Sequence, residues 1–345
     1  HVAKVALANG RSTSLAADLG GTGIGRPYTG GAMSASGGRI AYTQGTPLRP
    51  ADVAVIGSDG KPRRLTDLGH GLLDQRTLGR VEEINFASSF DQRQIQGWVV
   101  YPPDFDAARR YPLLLEIHGG PFAAYGPHFA PETQLYAAQG YVVLYLNPRG
   151  STSYGAEFAN LIHQNYPSED YNDLMDGVDA VIARGSIDKD NLFVTGGSGG
   201  GLLTAWIVGK TTRFRAAVVA KPVINWFSHA LTADGYNYYW RYWHKGLPWE
   251  QPDYYFKHSP ISLVGNVVTP TMVIVGDADL RTPIAESEQY YQALRLKRVP
   301  SAMVRIPGAS HNISRRPSQM LAQVLNTAAW FERYRKREAA EAGKP

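Results

Sequence analysis

Asn191-Leu192-Phe193-Val194-Thr195-Gly196-Gly197-Ser198-Gly199-Gly200-Gly201-Leu202-Leu203 sets one serine among five glycines, between two apolar runs. Gly196, Ser198 and Gly200 satisfy Gly-x-Ser-x-Gly. A strand before the motif and a helix after it are the surroundings that a nucleophile elbow requires. A sharp strand-to-helix turn strains the serine backbone, so its neighbours must lack a Cβ. The following helix turns its positive end toward Ser198, which favours negative charge developing there. Other glycine loops fit less well. A flexible linker would not lie between two apolar elements. A phosphate loop would continue into Lys-Ser/Thr, and a dinucleotide loop needs Gly-x-Gly-x-x-Gly and a well-placed acid.

Outward from this point the chain alternates short apolar runs with longer helical ones. Strands are expected at 97–101, 113–117, 142–146, 192–194, 217–220, 272–275 and 303–306. Several are apolar on both faces, as buried parallel strands tend to be. Helices are expected near 133–139, 169–184, 200–210, 284–297 and 318–336. In the second of these, Leu174, Val178, Val181 and Ile182 recur at helical spacing. The alternation from about residue 83 to 340 describes one doubly wound α/β domain.

A serine hydroxyl needs a base, and in this kind of fold the base is a late histidine with an acid before it in sequence. His311 follows the strand 303–306 and the loop Pro307-Gly308-Ala309-Ser310. It thus falls at a strand's C-terminal end, where open α/β sheets build their sites. His70, His163, His229, His244 and His258 lie in polar or aromatic stretches without that position. Gly276-Asp277-Ala278-Asp279-Leu280-Arg281-Thr282-Pro283 follows the strand before it and offers two acids. Asp279, deeper in the loop, is preferred to Asp277 for holding the histidine tautomer. His118-Gly119-Gly120-Pro121 follows the strand 113–117. A Gly-Gly loop there can offer one backbone N–H to a substrate oxyanion, with Gly199 N–H as the second.

Residues 1–82 read differently. Val5-Ala6-Leu7, Asn9-Gly10 and Leu15 suggest strand, tight turn, strand. Val53, Val55, Ile56, Asp59-Gly60 and Leu65 repeat the pattern about 50 residues later, with Arg39-Ile40-Ala41-Tyr42 as a strand between. One to two propeller blades would fit in this length. The expectation is the C-terminal part of a β-propeller and linker, belonging to a longer protein.

The chain has 345 residues, 43% hydrophobic and 19% charged, which excludes a wholly disordered protein. No apolar stretch approaches a spanning helix, and the residues from His1 onward do not show the basic n-region and apolar h-region of a signal peptide. Without cysteine there is neither disulfide nor thiolate chemistry. The net charge of +5 is scattered, which argues against a nucleic-acid partner. No metal-binding spacing is visible, and no cofactor is expected.

Taken together, His118 to Pro121, Asn147-Pro148-Arg149-Gly150-Ser151, Gly196 to Gly200, Gly276 to Pro283 and Gly308 to His311 resemble the prolyl oligopeptidase family of serine peptidases. The resemblance is nearest to its acylaminoacyl-peptidase and dipeptidyl-aminopeptidase-like branch. It implies an α/β-hydrolase fold over 83–340 with a partial N-terminal β-propeller before it. It implies Ser198, Asp279 and His311 as nucleophile, orienting acid and base, and Gly120 and Gly199 as oxyanion donors. Some relatives use a tyrosine hydroxyl where this chain has His118. Arg281 matches a position that contacts a substrate backbone carbonyl; a surface ion pair is the competing reading. Trp226 and the aromatic run Tyr236 to Trp243 fit either a pocket wall or core packing. The implied substrate is a short peptide, cleaved by an oligopeptidase or exopeptidase. A carboxylesterase, amidase or isopeptidase of the same fold, and a non-catalytic binding protein, are the rivals. No membrane partner is expected; self-association, the propeller portion and the choice between cytoplasm and periplasm stay open.

Overall fold

The computed structural model describes residues 1–21 and 25–337. Its centre is an eight-stranded sheet: β1 (Val81–Ala87), β2 (Gln94–Val100), β3 (Tyr111–Ile117), β4 (Val142–Asn147), β5 (Ile187–Ser198), β6 (Ala216–Pro222), β7 (Thr271–Gly276) and β8 (Ser301–Ile306). The spatial order is β1-β2-β4-β3-β5-β6-β7-β8. β1 and β2 are antiparallel to their neighbours, and β4 onward run parallel.

Every residue of β3, β4 and β7 is buried, as expected of strands covered on both faces. Alternate residues serve two cores. Leu113, Leu115 and Ile117 pack with the helices Asp170–Ile182 and Gly199–Lys210. Leu114 packs with Pro131–Ala138 and Pro317–Tyr334 on the opposite face. The expected α/β domain and its helices are therefore present, each within a few residues of its expected bounds.

N-terminal to this sheet, Met33–Ser36, Arg39–Thr46, Arg49–Ile56 and Pro62–Arg64 form a four-stranded antiparallel meander. Val2–Val5 pairs with Ser12–Ala16 separately. The first hairpin departs from expectation. Ala6 and Leu7 belong to the reversal rather than the strand, because Ala6 N–H donates to Arg11 O (2.9 Å) and Gly10 N–H to Ala6 O (2.8 Å). The reversal takes residues 6–11 between the two strands, not Asn9-Gly10 alone.

Residues 25–29 do not stay with the meander. Glu132 N–H donates to Gly25 O (3.2 Å), Gly126 N–H to Pro27 O (2.9 Å) and Thr29 N–H to Ala124 O (2.8 Å). This strap lies along the loop after β3 and carries two N-terminal side chains to the strand ends.

Candidate active site

β5 ends at Ser198, whose φ of 61° and ψ of −121° are strained for a residue with a Cβ. The turn must pass close to β3. A Cβ on Gly200 would fall 2.1 Å from Ile117 O, so only glycine permits the approach. Ser198 then projects at the sheet's C-terminal edge, before the first turn of Gly199–Lys210.

His311 and Asp279 arrive from the loops after β8 and β7. His311 Nε2 is 2.9 Å from Ser198 Oγ, and His311 Nδ1 is 2.8 Å from Asp279 Oδ2. The Asp279 carboxylate also accepts from Arg281 N–H (2.9 Å) and Thr282 N–H (3.0 Å) on Oδ1, and from Thr282 Oγ1 (3.0 Å) on Oδ2. Burial would raise the pKa of Asp279, but the His311 hydrogen bond and charge and these donors hold it below the usual carboxylate range. Burial lowers the pKa of His311, opposed in part by the Asp279 hydrogen bond, so the ring is neutral and able to accept a proton at neutral pH. Asp277 is exposed and accepts from Gly308 N–H (2.7 Å), away from the histidine. The geometry thus brings together the serine, acid and base read from the sequence.

Gly120 has a φ of +127°, open to glycine and strained for other residues. A Cβ on Gly199 would lie 2.9 Å from Gly120 O, so the two expected oxyanion residues adjoin beside Ser198. The His118 ring is buried and bridges Gly119 O (2.7 Å) and Ser151 Oγ (2.9 Å). Burial takes its pKa down to about 4. It fixes the loop as a neutral ring and does not line the cavity.

The cavity over Ser198 has a volume of about 670 Å³. Phe122, Tyr166, Trp226, Tyr239 and Trp243 form an aromatic wall, so part of the 236–243 run serves the pocket. Arg281 also lines the cavity, yet its Nε donates to Asp234 Oδ1 (2.6 Å) and half the side chain is exposed. Both readings of Arg281 therefore have a footing: it reaches the cavity while paired to a loop carboxylate.

Among the lining residues that escaped the sequence reading are Arg26, Tyr28 and Lys221. Gly119 N–H donates to Tyr28 Oη (2.7 Å). Arg26 Nε lies 3.1 Å from Glu116 Oε1 and 3.2 Å from Glu132 Oε2. Lys221 Nζ donates to His311 O (2.6 Å). One signal pointed toward Arg26. Glu116 interrupts the apolar strand Leu113-Leu114-Leu115-Glu116-Ile117, and a buried carboxylate needs a partner cation. Among the described residues no cluster suited to a metal ion occurs.

Comparison with known proteins points to one family. The chain is 38% identical over 293 residues to the "Uncharacterized peptidase YuxL" of Bacillus subtilis, covering 84% of this chain and 44% of that protein. It is 31% identical over 243 residues to "Acylamino-acid-releasing enzyme 1" of Oryza sativa, covering 66% of this chain and 31% of that protein. The solved acylaminoacyl peptidase of Pyrococcus horikoshii superposes with a TM-score of 0.83 at 26% identity, over 89% of this chain and 50% of that one. The chain spans half or less of the length of these relatives. The sequence profile of the prolyl oligopeptidase family matches residues 127–338, more than half of the chain. With the profile and the relatives in agreement, this chain belongs to the prolyl oligopeptidase family.

Proposed function

We propose that the protein is a serine peptidase that cleaves short peptides through an acyl-enzyme. The unbroken hydrogen-bond chain from Ser198 Oγ through His311 to Asp279 carries this reading. His311 Nε2 takes the Ser198 proton as Oγ attacks the scissile carbonyl, and Asp279 stabilises the imidazolium. Gly120 and Gly199 N–H groups would hold the oxyanion. His311 then protonates the leaving nitrogen, and water releases the acyl group by the reverse path. The aromatic wall suits an apolar side chain on the acyl side, and Arg281, which lines the cavity, would meet a substrate carbonyl.

The name of the Pyrococcus relative supports an exopeptidase that releases acyl-amino acids. The four-stranded meander supports reading residues 1–82 as the end of a β-propeller and a linker, with further blades in a longer protein. Among the described residues no helix is long and apolar enough to cross a membrane.

Intact-mass analysis after fluorophosphonate treatment tests the mechanism. One adduct, mapped to Ser198 and absent from Ser198→Ala, is expected. No adduct on the folded protein would overturn the reading. The pH profile supplies a second test. His311 must be neutral to act as a base, and its pKa is depressed. Activity should therefore persist as pH falls until the pH passes the lowered His311 value. The acid limb of kcat/KM is expected below the ordinary imidazole range, and a limb at or above that range contradicts the assigned base.

A further inference from the structure

The cavity has two unlike sides. Besides the aromatic wall, the lining includes Arg26, Lys221, Asn312, Ser314 and Gln323, of which Arg26, Ser314 and Gln323 meet on Glu132. No aspartate or glutamate lines the cavity among the described residues. The polar side is also the His311 side: Asn312 and Ser314 follow that histidine in the chain, and Lys221 holds its carbonyl. A base that returns its proton to the leaving nitrogen must face the leaving group. The polar wall therefore receives the part of the substrate beyond the scissile bond.

Two cations are fixed in that wall. Arg26, only 8% exposed, is anchored through Nε to Glu116 and Glu132. Glu132 is held in turn by Ser314 Oγ (2.8 Å) and Gln323 Nε2 (3.2 Å). With Nε so occupied, the forked end of Arg26 turns to Gly197, the residue before the serine. A Cβ on Gly197 would fall 2.8 Å from Arg26 Nη1 and 2.9 Å from Lys221 Cε, so both side chains pack against the Gly197 Cα beneath the cavity they line.

The charged groups around this point are Glu116 and Glu132 behind Arg26, and Asp279 and His311 beside Lys221. Tyr28 and Tyr125 nearby are neutral phenols with raised pKa values. Glu116 is itself pushed up by burial. Burial and then the charge of Arg26 bring Lys221 down to about 8, opposed by the charges of Glu132, Asp279 and Glu116.

We propose that this leaving-group side binds a carboxylate, and that the substrates are short peptides with a free C-terminus close to the scissile bond. This rests on the serine-peptidase reading and narrows it. A planar fork and an ammonium lining one cavity suit a carboxylate.

Binding can be read without turnover. The full chain carrying Ser198→Ala is titrated by calorimetry with benzyloxycarbonyl-Phe-Ala, with its C-terminal amide, and with benzyloxycarbonyl-Phe-Glu-amide. The free acid is expected to bind about 10-fold or more tightly than its amide. Benzyloxycarbonyl-Phe-Glu-amide, whose only carboxylate is on a side chain, should follow the amide. Arg26→Gln should bring acid and amide within about 2-fold, and Lys221→Met should narrow the gap. Because loss of Arg26 leaves Glu116 and Glu132 unpaired, the acid-to-amide ratio with the cavity otherwise intact decides the matter. A ratio near 1, or tighter binding of the Glu-amide, overturns the proposal. A failed serine mechanism would instead appear as a missing fluorophosphonate adduct, which this ratio does not depend on.

Discussion

Asp279→Asn is expected to lower kcat about 10⁴-fold while leaving the fold unchanged. The surrounding donors dictate the outcome. Arg281 N–H and Thr282 N–H both point at Oδ1, so an asparagine must place its carbonyl oxygen there. Its NH₂ then occupies the Oδ2 position, 2.8 Å from His311 Nδ1. A donor facing Nδ1 forces the ring proton onto Nε2, the nitrogen that must accept from Ser198 Oγ. The base is thereby held in the wrong tautomer. Ser198→Ala, which removes the nucleophile itself, should cost about 10⁶-fold. Steady-state kcat on a peptide and on an activated ester, with the urea midpoint as control, checks both. A loss under about 10-fold for Asp279→Asn would remove that residue from the mechanism.

The reading of the main sheet succeeded where physical constraints are local. A strand buried on both faces must be apolar throughout, and β3, β4 and β7 nearly are. An elbow where a Cβ would fall 2.1 Å from a neighbouring carbonyl can hold only glycine, so Gly200 announces the contact before it is seen. Loop order then narrows the acid and base, because each must follow its own strand. The N-terminal half of the site had no such local signal. Arg26 and Tyr28 lie about 170 positions before Ser198 in a Gly-rich loop, and only tertiary pairing along residues 124–126 brings them in. Lys221 was equally hidden, since one lysine at the end of an apolar strand reads as a surface residue. Its φ of 40° and its bond to His311 O emerge only when β6 and the loop after β8 meet.

The single exception inside β3 shows how the two halves depend on each other. Glu116 would be an error in a strand that only needed to be buried. Opposite Arg26 it becomes the anchor that draws the strap across the sheet. The α/β domain therefore does not hold its complete cavity within residues 83–340. The wall beside Gly197 is built partly from residues 25–29.

Arg149→Met should be the most destabilising substitution away from the reacting groups, at about 3–5 kcal/mol. Arg149 is buried just after β4, with Nε 2.9 Å from Asp173 Oδ2 and Nη2 2.8 Å from Asp173 Oδ1. Nη2 also donates to Ser88 Oγ (2.9 Å) and Asp91 Oδ1 (3.1 Å). Asp173 is wholly buried in the helix Asp170–Ile182, so one guanidinium ties that helix to the loop after β1 and to the loop after β4. Removing it leaves a carboxylate out of water with only the Arg149 N–H (2.8 Å) among these donors. Lysine would not substitute, because a single ammonium cannot meet both Asp173 oxygens in the fork geometry. If the cost is the uncompensated charge, replacing Asp173 by leucine in the same protein should recover most of it, since an apolar pair of similar volume carries no desolvation penalty. Urea unfolding of wild type, Arg149→Met and the double variant separates the terms. A loss below about 1 kcal/mol for the single variant would mean that water reaches Asp173, and that the pair is an exposed bridge rather than a buried one.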